Sequence, residues 1–347
     1  MESTIKKWAF LSILIFLGMN KDLSGQVVFV DAHKGKDDGN GTITDPFATL
    51  AKGVEFANRL SSEKKITIKV FPGLYVLKEK LAIGNPKFSR DCPGYNIEAA
   101  IMPDDSGWSP NQMPVILSVS PDNSEIQFTH SVGILVATNN VSFKGIKFLG
   151  NSNPDVQYYY PITREDQSHE NLEVSQCYFI GERNSAPIQG AIWAHGAGTR
   201  VDHCIFYNCK NALLLFKSIR NFSITHSIIY GAYEAAVWFG PFESKFNFMN
   251  NIISNCNYFW LRPENTFPQY IFSNSVISGN KYYMGMYTNN GLIESEKNDQ
   301  TEIGIRKSGI IQLREVETDG LPADYLNLLP QSYGSDLDAG IFKKPKR

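Results

Sequence analysis

The chain has 347 residues, with 33 lysines and arginines, 35 aspartates and glutamates, and a formal net charge of −2. This near-neutral balance provides no basic field and argues against a nucleic-acid partner. Aromatic residues make up 12% of the chain and charged residues only 20%, which excludes a disordered chain and a coiled coil. Five cysteines cannot form a complete set of disulfides, because the number is odd.

The first 25 residues have the pattern of a secretory signal peptide. Lys6 and Lys7 precede an apolar run from Trp8 to Met19, and small residues at positions 24 and 25 form a cleavage site. That run is shorter than the roughly 20 residues of a membrane-spanning helix. We expect residues 1–25 to be a signal peptide and residues 26–347 to form one secreted or periplasmic domain, with no membrane span.

An eight-residue segment recurs through the second half of the chain. Its six copies begin at Phe143, Val174, Val201, Ile224, Phe248 and Phe272. Successive copies are therefore 31, 27, 23, 24 and 24 residues apart. The sixth position is always apolar, and the eighth is always Gly or Asn, the residues that most readily adopt a left-handed backbone. We interpret the eighth position as a tight corner between two short strands.

This repeat indicates an all-β solenoid. Strands this short cannot bury a face alone, but coils stacked about 4.8 Å apart can do so. Leucine-rich repeats have a similar period, but their Leu/Asn consensus is absent, and a propeller blade needs about 40 residues. The spacing therefore predicts a parallel β-helix.

Three further segments resemble one known group, the right-handed parallel β-helix proteins of the pectin-lyase-like superfamily. The stretches 29–41 and 45–50 are similar to that group's N-terminal segment, and residues 66–75 are similar to its first coil. Residues 328–332 and 338–342 look like its closing motif. The resemblance implies a right-handed parallel β-helix. It leaves the reaction open, because the group contains lyases, hydrolases and isomerases.

The ends of a β-helix expose strand edges and need covers. Asp45-Pro46 has the composition of a helix N-terminus, and apolar residues then recur at helical spacing, which predicts a capping helix over residues 46–61. Residues 84–113 and 151–170 are interpreted as loop insertions. We expect the 300–340 segment to pack across the last coil.

The cysteines and one acidic segment are candidates for cross-linking or metal binding. Cys177 and Cys204 share a register on adjacent coils, which favours stacking in the core and leaves a disulfide as the alternative. The sequence has no close Cys/His cluster of the kind that binds zinc, so no metal site is predicted. Residues 31–40 contain three aspartates and an asparagine, so calcium remains an alternative to a glycine-rich turn.

The first strand of each repeat carries the candidate active face. Six residues at its outward and corner positions are the predicted catalytic set: Lys144, Glu173, Arg200, Asp202, His203 and His226. His203 and His226 share one register, so their side chains should lie about 5 Å apart along the axis. Loops and second strands add predicted substrate-binding residues: Tyr158, Tyr160, Arg164, His169, Trp193, His195, Lys217, Trp238, Trp260 and Arg262.

This mixture of residues suits β-elimination from a uronic acid. The reaction needs a base for the C5 proton and a cation or donor to stabilise the enolate. Arg200 could hold the sugar carboxylate, and His203 or His226 could be the base. A tyrosine of the 158–160 run could donate to the leaving oxygen. The predicted partner is an acidic polysaccharide or oligosaccharide, bound by a monomer without a cofactor.

Two other function classes fit the same residues. A glycoside hydrolase needs two carboxylates about 5–9 Å apart, and Asp202 could pair with Glu173 or Asp166. A non-catalytic glycan-binding or structural β-helix would need no base. It would use the outward side chains of Trp193, Trp238 and Trp260, because sugar rings stack on exposed aromatic faces.

Overall fold

A computed structural model describes residues 25–61, 63–84, 92–181, 186–240, 246–264, 270–294, 300–314 and 327–343. Residues 1–24 of the predicted signal peptide lie outside this part of the chain. The described part has no helix long and apolar enough to cross a membrane.

Nearly all of the regular structure is β-strand. The strands are β1 (Gln26–Val30), β2 (Ile66–Val70), β3 (Gly73–Leu77), β4 (Leu81–Ile83), β5 (Tyr95–Ala99), β6 (Pro114–Ser118), β7 (Ser131–Val136), β8 (Val141–Lys144), β9 (Lys147–Asn151), β10 (Tyr159–Arg164), β11 (Leu172–Ser175), β12 (Tyr178–Ile180), β13 (Ile192–Ala194), β14 (Arg200–Asp202), β15 (Ile205–Tyr207), β16 (Asn211–Leu215), β17 (Ser223–Thr225), β18 (Ile228–Tyr230), β19 (Ala235–Phe239), β20 (Asn247–Met249), β21 (Ile252–Ser254), β22 (Tyr258–Pro263), β23 (Tyr270–Ser273), β24 (Val276–Ser278), β25 (Tyr282–Thr288), β26 (Gly291–Glu294) and β27 (Gln300–Ile303). One α-helix, α1 (Leu50–Ala57), and two short 3₁₀ turns (Pro110–Gln112 and Ser335–Leu337) complete the described elements.

These strands form three long sheets that run the length of the molecule. Sheet 1 has ten strands in the order β1-β2-β5-β8-β11-β14-β17-β20-β23-β27. Sheet 2 has the eight strands β3-β6-β9-β12-β15-β18-β21-β24, and sheet 3 has the nine strands β4-β7-β10-β13-β16-β19-β22-β25-β26. Each turn of the chain adds one strand to each sheet. Neighbouring strands are parallel, whereas β25 and β26 form an antiparallel hairpin. The predicted parallel β-helix is confirmed.

Two corners of each coil use a left-handed backbone. At the eighth repeat position this holds for Asn208, Gly231, Asn255 and Gly279, but not for Gly150 or Gly181. At the third position it holds for all six copies: Gly145, Gln176, His203, His226, Asn250 and Asn274. The sequence analysis missed this second corner because Gln and His seldom adopt positive φ. Both histidines of the candidate site are therefore corner residues.

The interior is filled by ladders of identical or similar side chains. The rings of Phe148, Phe179 and Phe206 stack with centroids 4.8 Å apart at each step and planes within 7°. Cys177 and Cys204 are fully buried in the same interior and are free thiols, as core stacking predicts. Burial raises the pKa of the Cys204 thiol well above its usual value, which makes it an unreactive core residue.

The N-terminal end is covered by α1, which is shorter than predicted. The helix begins after Thr49, whose hydroxyl accepts from the Lys52 backbone N–H at 3.1 Å. Asp45 is not the cap; its carboxylate accepts from the Asn40 N–H. Asp37 similarly accepts from the Ala48 and Thr49 N–H groups. In this region the acidic side chains fix the loop that leads into the helix.

Both predicted loop insertions contain a strand of the solenoid. The 84–113 segment includes β5, which pairs with β2 and β8 in sheet 1. The 151–170 segment includes β10, which pairs with β7 and β13 in sheet 3. These coils carry long connections that dilute the repeat, so the periodicity in the sequence did not reveal their strands.

Residues 300–306 pack on the last coil, as predicted for the 300–340 segment, because β27 pairs with β23 and Arg306 bridges Val276. Residues 327–343 instead lie along the outside of sheet 2. We call residues 327–343 the C-terminal strap. Leu337 and Ile341 of the strap belong to a buried cluster on this face. The outward aliphatic residues of sheet 2 in the same cluster are Ile205, Ile228, Ile252 and Val276. These side chains form a continuous apolar row, and burying that row places the strap lengthwise.

Candidate functional site

Sheet 1 presents a polar surface in which three of the predicted catalytic residues meet. Its outward row runs Asn96, Ser142, Glu173 and Arg200 on successive strands, because these residues pair in register. Lys144 lies two residues after Ser142 on the same strand and therefore faces the same side. These five residues, with Lys65, line a depression of about 410 Å³, which we call the sheet 1 groove.

The groove contains one ion pair and two further cations. The Lys144 ammonium lies 3.0 Å from a Glu173 carboxylate oxygen. Ser142 donates to the Asn96 side-chain oxygen at 2.7 Å, which fixes the polar floor. Arg200 and Lys65 are exposed and have no ion-pair partner among the described residues. The groove can therefore accept an anionic group without first breaking an ion pair at Arg200.

The two predicted histidines lie beside the groove and stack on each other. The ring centroids of His203 and His226 are 4.7 Å apart, and the ring planes differ by 3°. Their shared register gives this spacing, as expected. Asp202 lies next to them, with Oδ1 3.5 Å from His226 Nδ1 and accepting from the Thr225 hydroxyl at 2.8 Å. Asn250 bonds the other ring nitrogen of His226 at 2.8 Å.

The C-terminal strap covers this histidine cluster. The Gly340 carbonyl lies 2.9 Å from His203 Nδ1, and the Gly340 N–H donates to the His226 carbonyl at 2.9 Å. The Lys343 ammonium is 3.1 Å from Asp202 Oδ2. Only 6% of His203 is exposed. The His203 side chain therefore faces the strap and not an open groove, whereas 28% of the His226 side chain remains exposed. No signal in the repeat itself indicated the contact with the strap.

Burial and local charges shift the titration of this cluster. Burial lowers the pKa of His203 below its usual value and outweighs the nearby Asp202 carboxylate. For Asp202 burial acts to raise the pKa, but hydrogen bonds from Thr225 and Lys343 outweigh it and the pKa is lowered. At neutral pH the cluster thus contains a carboxylate and a neutral His203.

One atom each of Asp202, His203 and His226 could in principle ligate a metal, since these atoms lie within 4.8 Å of one another. No metal site was predicted from the sequence, because the chain has no close Cys/His cluster, and it is the stacking of coils that brings His203 and His226 together. His203 Nδ1 and Asp202 Oδ2 are hydrogen-bonded to the strap, and His226 Nε2 is bonded to Asn250. Three of the candidate ligand atoms therefore already have protein partners, whereas His226 Nδ1 has no hydrogen-bond partner among the described residues and lies 3.5 Å from Asp202 Oδ1.

Several predicted substrate-binding residues lie away from the groove. Arg164 and Arg262 have the same register on sheet 3 and are fully buried. Arg164 donates to the His195 carbonyl and to the Thr199 hydroxyl, at 2.5 and 2.7 Å. His195 is only 2% exposed, and burial lowers its pKa to about 4. These side chains stabilise the interior and the corner that follows sheet 3.

Two other predicted residues lie on exposed loops. His169 Nε2 is 3.9 Å from Asp166 Oδ2, in the connection between sheets 3 and 1. Lys217 is exposed in the turn that follows β16. Lys217 approaches the buried His195 and helps to lower its pKa, because like charges oppose protonation. The structure does not place either residue in the sheet 1 groove.

The predicted outward orientation is confirmed for two tryptophans and is wrong for Trp260. Trp193 and Trp238 lie on the outer face of sheet 3, but Trp260 is fully buried in the interior. Trp260 pairs with Val237, whereas the prediction aligned Phe259 with Val237. The turn before β19 is one residue longer than the turn before β22, and a shift of one residue reverses the face of a strand.

Neighbouring aromatic side chains partly cover the two outward tryptophans. Phe128 stacks on Trp193 with centroids 6.3 Å apart, and Tyr287 stacks on Trp238 at 5.0 Å. Tyr160 also contacts Trp193, at 4.9 Å, and Tyr158 adjoins Phe128 at 5.4 Å. The third residue of this tyrosine run, at position 159, points into the core, which removes it as an acid for the predicted reaction.

Comparisons with known proteins agree with the fold described above. No protein-family model matches the chain, and no curated protein matches it in sequence. A pectin methylesterase mutant solved with a hexasaccharide is similar in structure, with a TM-score of 0.51 and 12% identity over 89% of this chain and 94% of that one.

Two further solved structures show weaker similarity. A pectin methylesterase from Aspergillus niger gives a TM-score of 0.47 at 12% identity, over 91% of this chain and 94% of that one. A rhamnogalacturonan lyase gives 0.45 at 13% identity, over 91% of this chain and 100% of that one. The three parallel sheets, together with the methylesterase likeness, show that this chain has a right-handed parallel β-helix fold.

Proposed function

We propose that the protein cleaves an acidic, uronate-containing polysaccharide or oligosaccharide by β-elimination, in the sheet 1 groove. The observation that supports this most is the meeting of Lys144, Glu173 and Arg200 in one depression of about 410 Å³. A uronate needs a cation for its carboxylate and a base near C5. The pectin-derived names of the similar structures are consistent with an acidic saccharide.

Each groove residue has a defined part in the proposed reaction. Arg200 binds the sugar carboxylate, since a guanidinium group forms strong charge-assisted hydrogen bonds. Glu173 removes the C5 proton, and Lys144 positions that carboxylate and stabilises the enolate. The C5–H electron pair forms the C4–C5 double bond, the C4–O bond breaks, and the leaving oxygen takes a proton from water.

The proposed base is Glu173 and not a histidine. His203 faces the Gly340 carbonyl at 2.9 Å and is almost fully buried, so a bound sugar does not reach it. His226 has neighbours on both ring nitrogens. Glu173 is part of the groove lining and is held by one lysine that a substrate carboxylate can compete for.

Elimination fits the groove better than glycoside hydrolysis. Hydrolysis needs a second free carboxylate opposite the first. Asp202 is bound by Thr225 and by Lys343 of the strap. Asp166 is exposed on the loop beside His169 and is not part of the groove lining. The groove therefore offers one carboxylate, Glu173, on the strand next to the unpaired Arg200.

The signal peptide pattern supports secretion or a periplasmic location, where such polysaccharides are met. We propose that the mature chain begins near Gln26 and acts as a monomer. Intact-mass measurement of the protein exported by its host tests the first point. Sedimentation of the purified mature protein tests the second.

The decisive experiment uses the mature protein and a panel of uronate polysaccharides. Elimination gives an unsaturated product that absorbs in the ultraviolet. Glu173→Gln should lower its rate about 100-fold or more, as expected for loss of a general base. Arg200→Ala should raise KM. Arg220→Ala is the matched control, because Arg220 is half-exposed and pairs with Glu170 outside the groove lining.

Other outcomes separate the alternatives. Release of reducing ends without ultraviolet absorption would indicate a hydrolase. Binding of the polysaccharide without any product would indicate a non-catalytic glycan-binding protein. Elimination that proceeds at an unchanged rate in Glu173→Gln and Arg200→Ala would refute the assignment of the groove.

A further inference from the structure

A second pocket lies on the outer face of sheet 3, on a different side of the solenoid from the sheet 1 groove. Its volume is about 290 Å³. The aromatic side chains in its lining are Phe128, Tyr160, Trp193, Phe216 and Trp238. Its polar lining includes Lys210, Asn211 and Glu234. We call it the aromatic pocket.

The aromatic walls come from five separate parts of the chain and form one continuous cluster. Trp193 contacts Phe128 and Tyr160, with centroids 6.3 and 4.9 Å away. Phe216 meets Trp238 edge-on at 6.1 Å. Aromatic faces gathered around a depression offer the apolar surface that the C–H face of a sugar ring packs on.

The polar side of the pocket is held in place by a small network. Lys210 Nζ lies 3.4 Å from Glu234 Oε1, and Asn211 Nδ2 donates to Glu234 Oε2 at 2.7 Å. Glu234 remains partly exposed, at 24% of its side chain, and so keeps acceptor capacity for a ligand. The ion pair makes the pocket close to neutral, unlike the sheet 1 groove with its unpaired Arg200.

Two buried donors in these walls lack an acceptor. Trp193 is 97% buried, and its indole N–H has no hydrogen-bond partner in the described part of the chain. The indole N–H of Trp238 is likewise buried without one. A buried polar group without a partner is unfavourable, so a ligand oxygen that accepts from these indole N–H groups would be favoured.

We propose that the aromatic pocket binds a neutral pyranose unit of a polysaccharide. Stacking faces, donors without acceptors and a fixed carboxylate acceptor are the groups that recognise a ring with several hydroxyls. The charge balance favours a neutral sugar over a uronate. The volume lies at the small end of the range of about 300–1,000 Å³ for ligand pockets, which suits one sugar unit. This site does not depend on the reaction proposed for the groove.

Tryptophan fluorescence titration of the mature protein tests this proposal. The probes are cellotetraose, xylotetraose and β-1,4-galactotetraose, with tetragalacturonate as the acidic counterpart. We expect saturable binding of at least one neutral probe and at least 10-fold weaker binding of tetragalacturonate at this site. Trp238→Ala and Glu234→Gln should each weaken binding of the neutral probe about 10-fold. Glu234→Gln preserves shape and remains informative if Trp238→Ala folds poorly.

Two controls keep this test separate from the groove. Trp108→Phe should retain binding, because Trp108 lies under the C-terminal strap beside Phe342. Glu173→Gln should also retain binding of the neutral probe, although this variant is expected to slow elimination in the groove. Absence of saturable binding for all three neutral probes up to 20 mM would overturn the proposal. Unchanged affinity in both Trp238→Ala and Glu234→Gln would overturn it as well.

Discussion

Acidification should destabilise this fold through one buried histidine, His195. Its side chain is almost fully buried beside Trp193 and Phe216, at centroid distances of 6.0 and 6.4 Å. Burial, followed by the charges of Lys217 and Arg164, lowers its pKa from 6.5 to about 4. The perturbation is a change of pH from 7.5 to 4, compared between the wild type and His195→Gln.

The direction follows from which state binds the proton. Above pH 6.5 His195 is neutral in both the folded and the unfolded state, and its full contribution to the free energy of unfolding is present. Between pH 6.5 and 4 the unfolded chain takes up a proton that the folded protein does not, so the free energy of unfolding falls. A shift from 6.5 to about 4 corresponds to about 3 kcal/mol at 1.36 kcal/mol for each pKa unit.

Equilibrium urea unfolding at several pH values measures this effect. The wild type should lose about 3 kcal/mol more than His195→Gln between pH 7.5 and 4. His33→Gln is the matched control, because His33 is exposed in the N-terminal loop, and it should keep the wild-type pH dependence. Equal pH dependence in the wild type and His195→Gln would refute the argument that this histidine stays neutral.

Three further predictions concern the core and its covers. Phe179→Ala, in the middle of the interior aromatic ladder, should lower the free energy of unfolding by about 3–5 kcal/mol in urea titrations. The denatured, unreduced protein should titrate five thiols, and a count of three would show that one pair of cysteines is bridged, which would contradict the free thiols of the core. Ile341→Asp should detach the C-terminal strap, seen as increased binding of a hydrophobic dye, with unchanged binding contradicting the packing.

The sequence predicted those features of the fold that depend on neighbouring coils. Each coil repeats the last, so the stacking of Phe179 on Phe206 follows from register alone. The same reasoning correctly placed His203 on His226. Register fails where a turn changes length by one residue, as it did for Trp260. An error of that size is enough to exchange a surface residue for a core residue.

The candidate site was only partly predictable, because its exposure depends on segments distant in sequence. Gly340 is 137 residues from His203, and no periodic pattern connects them. Arg164 looked like a loop residue until β10 placed its side chain in the buried layer of sheet 3. Lys144, Glu173 and Arg200 were found because all three belong to sheet 1, where register fixes the neighbours of each side chain.

The covers of the three sheets determine where a ligand can bind. Sheet 2 presents an aliphatic row, and the C-terminal strap buries it. Sheet 3 is partly covered by Phe128 and by the β25–β26 hairpin, which leaves the aromatic pocket between them. The outward row of sheet 1 is polar and charged, so covering it would cost desolvation of Glu173 and Arg200. That cost explains why the groove stays open among the described residues.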